Sequence, residues 1–258
     1  MGYDTWNAYE VSFLLENGRP VTGVAKCVYP CTSKYIVESK SIKLYFNSYN
    51  MSKIASNKDE AVQSFEATAS EDLSNLLETD VVVSFQDGVR VNNKFDSPNN
   101  EWDIDEYLNV DLLEDHKDFK YTQYTEDPSL LEAISRTKDL EQKFYSGLLK
   151  SNCRVTSQPD WGDVFIYIKS KNAIDAHSIK NYIISFRDEC HFHEEICECI
   201  YKRLKDAFEP SELLVMCLYA RRGGIDINPV RASDINLINL LADNLIDSKA
   251  IHIKTSKQ

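Results

Sequence analysis

Long apolar runs are missing from this 258-residue sequence, and glycine and proline are scarce, with 8 and 7 residues. No segment approaches the roughly 20 apolar residues that a membrane-spanning helix needs. No basic, apolar leader precedes the first predicted strand. The few glycines form neither the G-x-G-x-x-G fingerprint of a Rossmann fold nor a phosphate-binding P-loop. The sequence therefore predicts a cytoplasmic protein with no membrane contact, and it excludes those two nucleotide-binding folds.

An excess of positive charge is missing as well. Lysine and arginine together number 29 against 41 aspartates and glutamates, which gives a net charge of −12. A broad basic face for direct binding of nucleic acid is therefore not expected. An anionic ligand would have to be held by local basic residues and backbone dipoles against the overall field.

The seven cysteines show no disulfide framework, because their number is odd and their spacing irregular. In a chain without an export signal they are expected to be reduced. Most free cysteines serve as small hydrophobic core residues. Covalent chemistry, if the chain performs any, is expected to rest on one of them.

Hydrophobic periodicity predicts two sets of elements joined by a charged connector at 111–150. The first set has strands at 8–16, 21–29, 80–87 and around 102–110, with helices at 38–50 and within 59–78. The second set has strands at 151–157, 163–170, 212–220 and 224–230, with helical segments through 178–208 and a helical tail past 233.

The two sets share letters as well as order. "SIKLYFNSY" at 41–49 and "SIKNYIISF" at 178–186 both follow two predicted strands and precede a second helix. An internal repeat of a ββααββ unit explains this better than coincidence between two amphipathic helices. We expect antiparallel sheets with the helices layered on one face, and sheet edges that favour side-by-side association into a barrel-like assembly.

Cys153 and Asp160 form the first candidate constellation, within "SNCRVTSQPDWGDV". A nucleophilic cysteine needs a partner that stabilises its thiolate or takes its proton. A turn at "QPDWG" could fold Asp160 back towards Cys153. The same spacing fits an aspartate that only caps the turn, and the residues alone leave both interpretations open.

The segment "ECHFHEEICEC" at 189–199 resembles a metal-binding cluster. On a helix, however, residues two positions apart point to different faces, so Cys197 and Cys199 do not converge on one ion. A stripe of core residues is favoured instead, and its predicted members are Cys190, His193, Cys197, Ile200, Leu204 and Phe208. His193 and Glu194 would lie near the start of this helix, where backbone donors are available to a ligand.

Two basic segments could bind phosphate. In "VESKSIK", Ser39 is a candidate N-cap with Lys40 and Lys43 close by, and "RRGG" at 221–224 could approach a phosphate closely. An ordinary capped helix and an ordinary hairpin connection explain the same two segments.

Four stretches together resemble the NADPH-dependent 7-cyano-7-deazaguanine (preQ0) reductases of queuosine biosynthesis, in their bimodular form. They are "ESKSIKLYFNSYN", "LLKSNCRVTSQPDWG", "YIISFRDECHFHEEIC" and "RRGGIDINPVR". The resemblance runs from about "YDTWNAYEVS" to "NPVRAS". It implies an α+β protein of tandem tunnelling-fold (T-fold) ββααββ modules, which we expect at 1–125 and 126–258.

The resemblance also implies reduction of a nitrile to a primary amine with two NADPH, without a metal. Cys153 matches the nucleophile that forms a covalent thioimide, Asp160 the proton donor, and His193 a proton shuttle. The matched substrate-binding residues are Val37, Glu38, Ser39, His193 and Glu194. The matched NADPH contacts are Ser39, Lys40, Arg222 and Gly223. We expect preQ0 as the substrate and a homodimer as the assembly.

Two other functions are compatible with this fold. A zinc-dependent cyclohydrolase would use Cys153, His193 and another thiol as metal ligands. A noncatalytic module would bind a purine or pterin without turnover.

Overall fold

The computed structural model describes residues 1–87, 106–115, 120–249 and 258. Within these ranges, no helix has the length and apolar character needed to cross a membrane. The described strands form one nine-stranded sheet. The strands are β1 (Gly2–Leu14), β2 (Pro20–Pro30), β3 (Val82–Asp87), β4 (Leu108–Asn109), β5 (Ala133–Ser146), β6 (Lys150–Asn152), β7 (Pro159–Ile174), β8 (Glu212–Tyr219) and β9 (Ile225–Ala232). The helices are α1 (Ser39–Asn47), α2 (Lys58–Leu77), α3 (Ala176–Ile184), α4 (His193–Phe208), α5 (Ile235–Leu241) and α6 (Asp243–Ile246).

Strand order in the main path of the sheet is β3-β2-β1-β9-β8-β7-β5-β4, and β6 pairs with β7 off this path. All pairings between named strands are antiparallel except the short β4–β5 contact. The first and last long strands, β1 and β9, pair with each other from Gly2↔Arg231 to Ala8↔Ile225. This pairing joins the two halves of the chain into one continuous sheet.

The first half has the order ββααβ in β1, β2, α1, α2 and β3. Its helices bury an aromatic cluster against the sheet, in which Phe65 packs on Phe13, Phe46 and Phe85. Glu78 closes α2 in the left-handed conformation. A fourth strand was predicted around 102–110; residues 102–105 lie outside the described part of the chain, and only Leu108–Asn109 pair, with β5.

The second half has the complete order ββααββ in β5, β7, α3, α4, β8 and β9. Two sequence predictions were wrong here. The connector at 111–150 contains β5, a 14-residue strand. The predicted strand at 151–157 is only the end of β6, and the chain then reverses. Since β5 precedes β7, the first strand of this unit is β5 and not the segment that carries Cys153.

The four long helices cover one face of the sheet. On β9, Ile225 and Ile227 pack with the aromatic cluster below α1 and α2, while Cys197 of α4 contacts the carbonyl of Pro229. The alternate residues Val230 and Ala232 face the opposite side, where α5 and α6 pack. The predicted helical tail is thus present, but it covers the face opposite the main helices.

The predicted fold class is confirmed as α+β, with tandem units in an antiparallel sheet and the main helices layered on one face. The second unit has the complete ββααββ order expected of a tunnelling-fold module, and the described part of the first unit has ββααβ. The division into modules between residues 125 and 126 stays a prediction. It falls in a segment that has neither helix nor strand, and the sheet continues across both halves of the chain.

Candidate active site

A cavity of about 370 Å³ lies on the helix-covered face where the two units meet. Its walls come from the start of α1, the loop after β6, the start of β7, the start of α4 and the β8–β9 hairpin. All site residues predicted from the sequence line this one cavity: Val37, Glu38, Ser39, Lys40, Cys153, Asp160, His193, Glu194, Arg222 and Gly223. Residues far apart in the sequence therefore share one chamber, and their individual roles stay predictions.

Cys153 lies at the first position of a tight loop between β6 and β7. The loop closes by hydrogen bonds from Cys153 N to Gln158 O at 2.8 Å and from Ser157 N to Cys153 O at 2.9 Å. Ser157 takes the left-handed φ of 54° that this reversal requires. Partial burial would raise the pKa of the Cys153 thiol, but hydrogen bonds from the Thr156 hydroxyl and from the Thr156 and Val155 amides outweigh it. The net effect lowers the thiol pKa and favours thiolate.

Asp160 lies inside β7, opposite Ser151 of β6. The predicted turn at "QPDWG" was therefore wrong: the reversal is at 153–158, and Pro159–Gly162 is already strand. The carboxylate is 3% exposed, and its Oδ1 forms an ion pair with Arg222 and lies 3.4 Å from Nε2 of His193. Burial would raise the pKa of this carboxyl, but hydrogen bonds and charge from His193 and Arg222 hold it below its usual value. These contacts exclude a residue that merely caps a turn.

His193 and Glu194 are the first two residues of α4. Glu195 fixes this helix start, because its Oε2 accepts a hydrogen bond from the Phe192 N–H at 2.8 Å. His193 and Glu194 then point into the cavity. The predicted core stripe holds for Cys197, Ile200, Leu204 and Phe208, whereas Cys190 is exposed and precedes the helix. Within the described ranges no group of three or more histidine, cysteine, aspartate or glutamate side chains could hold a metal.

Glu194 is a buried carboxyl with one unsatisfied oxygen. It is 3% exposed, and its Oε1 has no hydrogen-bond partner among the described residues. Burial raises its pKa to about 8, with the nearby charge of Asp4 acting in the same direction. A buried acceptor without a donor costs free energy unless a ligand supplies one. Glu194 is therefore suited to a ligand that presents N–H groups.

Glu38, and not Ser39, is the N-cap of α1. The Glu38 carboxylate accepts hydrogen bonds from the amides of Lys40 at 3.0 Å and Ser41 at 2.8 Å, and Ser39 becomes the first helical residue. The longer glutamate side chain satisfies two free amides of the first turn, which leaves the Ser39 hydroxyl uncommitted. A phosphate at this end of the helix would therefore meet lysine side chains more readily than the capped amides.

Arg222 and Gly223 lie in a tight hairpin between β8 and β9. Arg222 N and Ile225 O are 2.9 Å apart, and Gly223 and Gly224 have φ values of 60° and 80°. Positive φ at both central residues is the geometry in which glycine is strongly favoured. Lys43 Nζ donates to Gly223 O at 2.7 Å and so ties the hairpin to α1. The two predicted phosphate-binding segments are thereby brought side by side.

Sequence reasoning missed several residues of this cavity. Gln158 accepts from Arg222 and so shares this guanidinium with Asp160. Trp6, Ile225 and Ile227 form a buried apolar part of the wall. No local pattern distinguishes these residues from core positions, because only the β1–β9 pairing brings them to the cavity.

Two family models match the chain. Residues 1–85 match "Nitrile reductase, 7-cyano-7-deazaguanine-reductase N-term", and residues 159–236 match "QueF-like protein". A reductase of Colwellia psychrerythraea is 38% identical over 246 residues, which cover 91% of this chain and 78% of the relative. The chain belongs to the NADPH-dependent 7-cyano-7-deazaguanine reductase family. The matched regions include every predicted site residue except Cys153, which lies between the two models.

Other members of the family are similarly close. The NADPH-dependent 7-cyano-7-deazaguanine reductase of Legionella pneumophila strain Corby is 40% identical over 234 residues, covering 90% of this chain and 76% of the relative. The reductase of Psychrobacter cryohalolentis is 38% identical over 247 residues, which cover 92% of this chain and 82% of the relative. A solved archaeosine synthase QueF-Like aligns with 38% of this chain and 96% of its own at 19% identity and a TM-score of 0.33, which adds nothing on function.

Proposed function

We propose that this chain reduces the nitrile of preQ0 to the primary amine of 7-aminomethyl-7-deazaguanine (preQ1), for queuosine in tRNA, with two NADPH per turnover. The observation that carries the proposal is the cavity in which Cys153, Asp160, His193 and Glu194 face one another. Family membership supports the same substrate, since the relatives are named for it.

Glu194 is proposed to bind the guanine-like edge of preQ0. That edge presents two adjacent N–H donors, and a carboxylate accepts both in one plane. The buried Oε1 of Glu194 has no donor within the residues that the structure describes, so the substrate would satisfy it. Val37, Glu38 and Ser39 form the facing side of the chamber. A base without these donors would leave the carboxylate unpaired and be rejected.

Cys153 is proposed to attack the nitrile carbon. A C–S bond forms, one π bond of the nitrile is lost, and the nitrogen gains a proton to give a neutral thioimide. The pKa of Asp160 is held low, so its carboxylate is ionised when the cavity is empty. It can take the proton that leaves the Cys153 thiol and pass it to the nitrogen, which balances the step. His193, 3.4 Å from Asp160, is proposed to carry protons in the later steps.

The residues present fit an anionic dinucleotide at the mouth of the cavity. Lys40, Lys43 and Arg222 bring three cationic side chains to this mouth in a chain of net charge −12. Ser39, Lys40, Arg222 and Gly223 are proposed to hold NADPH there. When bound, NADPH supplies the hydrides that convert the thioimide to the amine, with Cys153 released between the two reductions.

The cellular location, the assembly and the module bounds are also part of the proposal. The protein works in the cytoplasm as a homodimer, with modules at 1–125 and 126–258. It acts on a free base and does not contact nucleic acid directly, consistent with its negative charge.

Spectrophotometric NADPH oxidation by the pure protein tests the activity. We expect oxidation that depends on preQ0, with two NADPH consumed for each amine detected by mass spectrometry. Absence of preQ0-dependent oxidation would contradict the proposal. Activity that is lost on chelation and restored by zinc would favour the cyclohydrolase class instead.

A further inference from the structure

Tyr219, the last residue of β8, stacks on the imidazole of His193. The ring centroids are 3.8 Å apart and the planes differ by 9°. Tyr219 is fully buried, and it is not part of the cavity wall. Tyr219 therefore contacts the proposed proton carrier on the side away from the cavity, where it does not meet the substrate.

The imidazole lacks the hydrogen bond that commonly orients a functional histidine. Its Nε2 faces Asp160, but its buried Nδ1 has no hydrogen-bond partner in the described structure. Functional histidines are usually held by a carboxylate or carbonyl on the second nitrogen. With no hydrogen bond at Nδ1, the Asp160 contact holds only the Nε2 end of the ring, and the flat face of Tyr219 is the contact that restrains its plane.

Gly162 makes room for the Tyr219 ring. The two residues are paired across β7 and β8. A Cβ at Gly162 would lie 3.1 and 3.2 Å from Cδ1 and Cε1 of Tyr219, closer than ordinary van der Waals contact. The backbone of Gly162 has no positive φ that would demand glycine. Its missing side chain is therefore explained by the space that the tyrosine ring occupies.

We infer that Tyr219 and Gly162 are positioning residues that hold His193 with Nε2 directed at Asp160. Tyr219 is proposed to act through its ring, because its buried hydroxyl has no hydrogen-bond partner in the described part of the chain. This inference rests on the proposed function, since it assigns a purpose to the orientation of His193.

The test compares turnover and preQ0 binding in four proteins: wild type, Tyr219→Phe, Tyr219→Leu and Gly162→Ala. Tyr219→Phe keeps the ring and is expected to keep kcat within about twofold. An aromatic stack corresponds to about three- to tenfold in rate, so Tyr219→Leu is expected to lower kcat by about that factor, with a smaller change in KM for preQ0 because Glu194 keeps its proposed substrate contact. A merely structural role would also make leucine worse than phenylalanine, because leucine leaves a cavity at this buried site, but the loss would then follow the melting temperature and would raise KM as well as lower kcat.

A double-mutant cycle then asks whether Gly162 acts through the ring. Gly162→Ala is expected to lower kcat severalfold in wild type and to have little effect in the Tyr219→Leu background. Equal loss in both backgrounds overturns the inference, as does equal activity of Tyr219→Phe and Tyr219→Leu.

Proton NMR of His193 supplies a readout that does not depend on turnover. The ring current of Tyr219 is expected to shift the His193 ring protons upfield in wild type and Tyr219→Phe, and this shift is expected to change in Gly162→Ala. An unchanged shift in Gly162→Ala overturns the inference even where Tyr219→Leu does not fold. A wild-type protein that shows the shift but no preQ0-dependent NADPH oxidation contradicts the proposed function instead.

Discussion

Oδ1 of Asp160 lies 3.4 Å from Nε2 of His193, so that a strand residue and the first residue of a helix form one polar pair at the wall of the cavity. Arg222 shares the same carboxylate oxygen. The arrangement places the proposed proton acceptor Asp160, the proposed proton carrier His193 and the charge of Arg222 in the same cavity wall as Cys153. This grouping is the basis of the first prediction.

Asp160→Asn is expected to slow formation of the covalent adduct by about 100-fold or more, because an amide cannot relay the proton of the thiol. Binding of preQ0 is expected to persist, since the proposed recognition of the substrate lies with Glu194. Stopped-flow measurement of adduct formation and equilibrium binding separate the two effects. Asp188→Asn, at an exposed carboxylate that does not line the cavity, is the matched control. An adduct formed at the wild-type rate in Asp160→Asn would remove Asp160 from the proton path.

Thr156→Val is expected to make Cys153 less reactive at neutral pH. The Thr156 hydroxyl donates to the thiolate and helps to lower the thiol pKa against the effect of burial. Removing it raises the thiol pKa, so the pH at which alkylation by iodoacetamide is half-maximal moves upward. Thr156→Ser keeps the hydroxyl and is expected to retain the wild-type profile. Identical pH profiles of alkylation for Thr156→Val and wild type would show that the Thr156 hydroxyl does not stabilise the thiolate.

From the raised pKa of Glu194, we expect preQ0 binding to strengthen as pH rises towards 8. Its pKa in the empty protein is raised to about 8 from the ordinary 4.5, mainly by burial. The ligand requires the carboxylate, so below this pH binding must expel a proton and affinity falls by about tenfold per unit. Titration calorimetry in buffers of different ionisation enthalpy is expected to show proton release at pH 6.5. Glu194→Gln is expected to bind weakly without this pH dependence, and the same slope in that variant would rule out Glu194 as its source.

The same raised pKa has the opposite effect on folding stability, which falls as pH rises. A carboxyl that is easier to protonate in the folded state than in the unfolded chain loses its favourable contribution as pH rises from 4.5 to about 8. The ligand therefore gains affinity over the pH range in which the empty protein loses this part of its stability.

The neighbouring residues Arg221 and Arg222 are expected to differ in their effect on NADPH binding. Arg222 lines the cavity, whereas the guanidinium of Arg221 stacks on the ring of Tyr9, with its Cζ 4.2 Å from the ring centroid. Arg222→Ala is expected to weaken NADPH binding by about tenfold or more, because it removes a proposed phosphate ligand. Fluorescence titration with NADPH measures both variants, and Arg221→Ala is the control. Equal losses in the two would contradict the assignment of Arg222.

The repeat of two helices after two strands was readable from the sequence, because "SIKLYFNSY" and "SIKNYIISF" carry the same periodic core positions. Strand β5 could not be predicted from the sequence. Most of its first half is exposed, so the segment lacks the alternation of apolar and polar residues that marks a half-buried strand. The cap of α1 was misassigned for a different reason, since the commoner serine N-cap yields here to the longer reach of Glu38.

Within the site, residue types and positions could be predicted, but contacts between elements could not. The ion pair of Arg222 with Asp160 depends on the β7–β8 register, and the stack of Tyr219 on His193 depends on how α4 packs over β8. The inferred role of Gly162 was likewise hidden, because a glycine shortly after Pro159 and Asp160 is typical of a turn. Only its strand partner explains it.

The covalent step at Cys153 is tested most directly by intact-mass spectrometry after incubation with preQ0 in the absence of NADPH. The account predicts a single adduct of one preQ0 mass, mapped to the Cys153 peptide, absent from Cys153→Ala and present in Cys190→Ala, where only an exposed thiol is removed. No adduct on the wild-type protein, or an adduct that persists in Cys153→Ala, would contradict it.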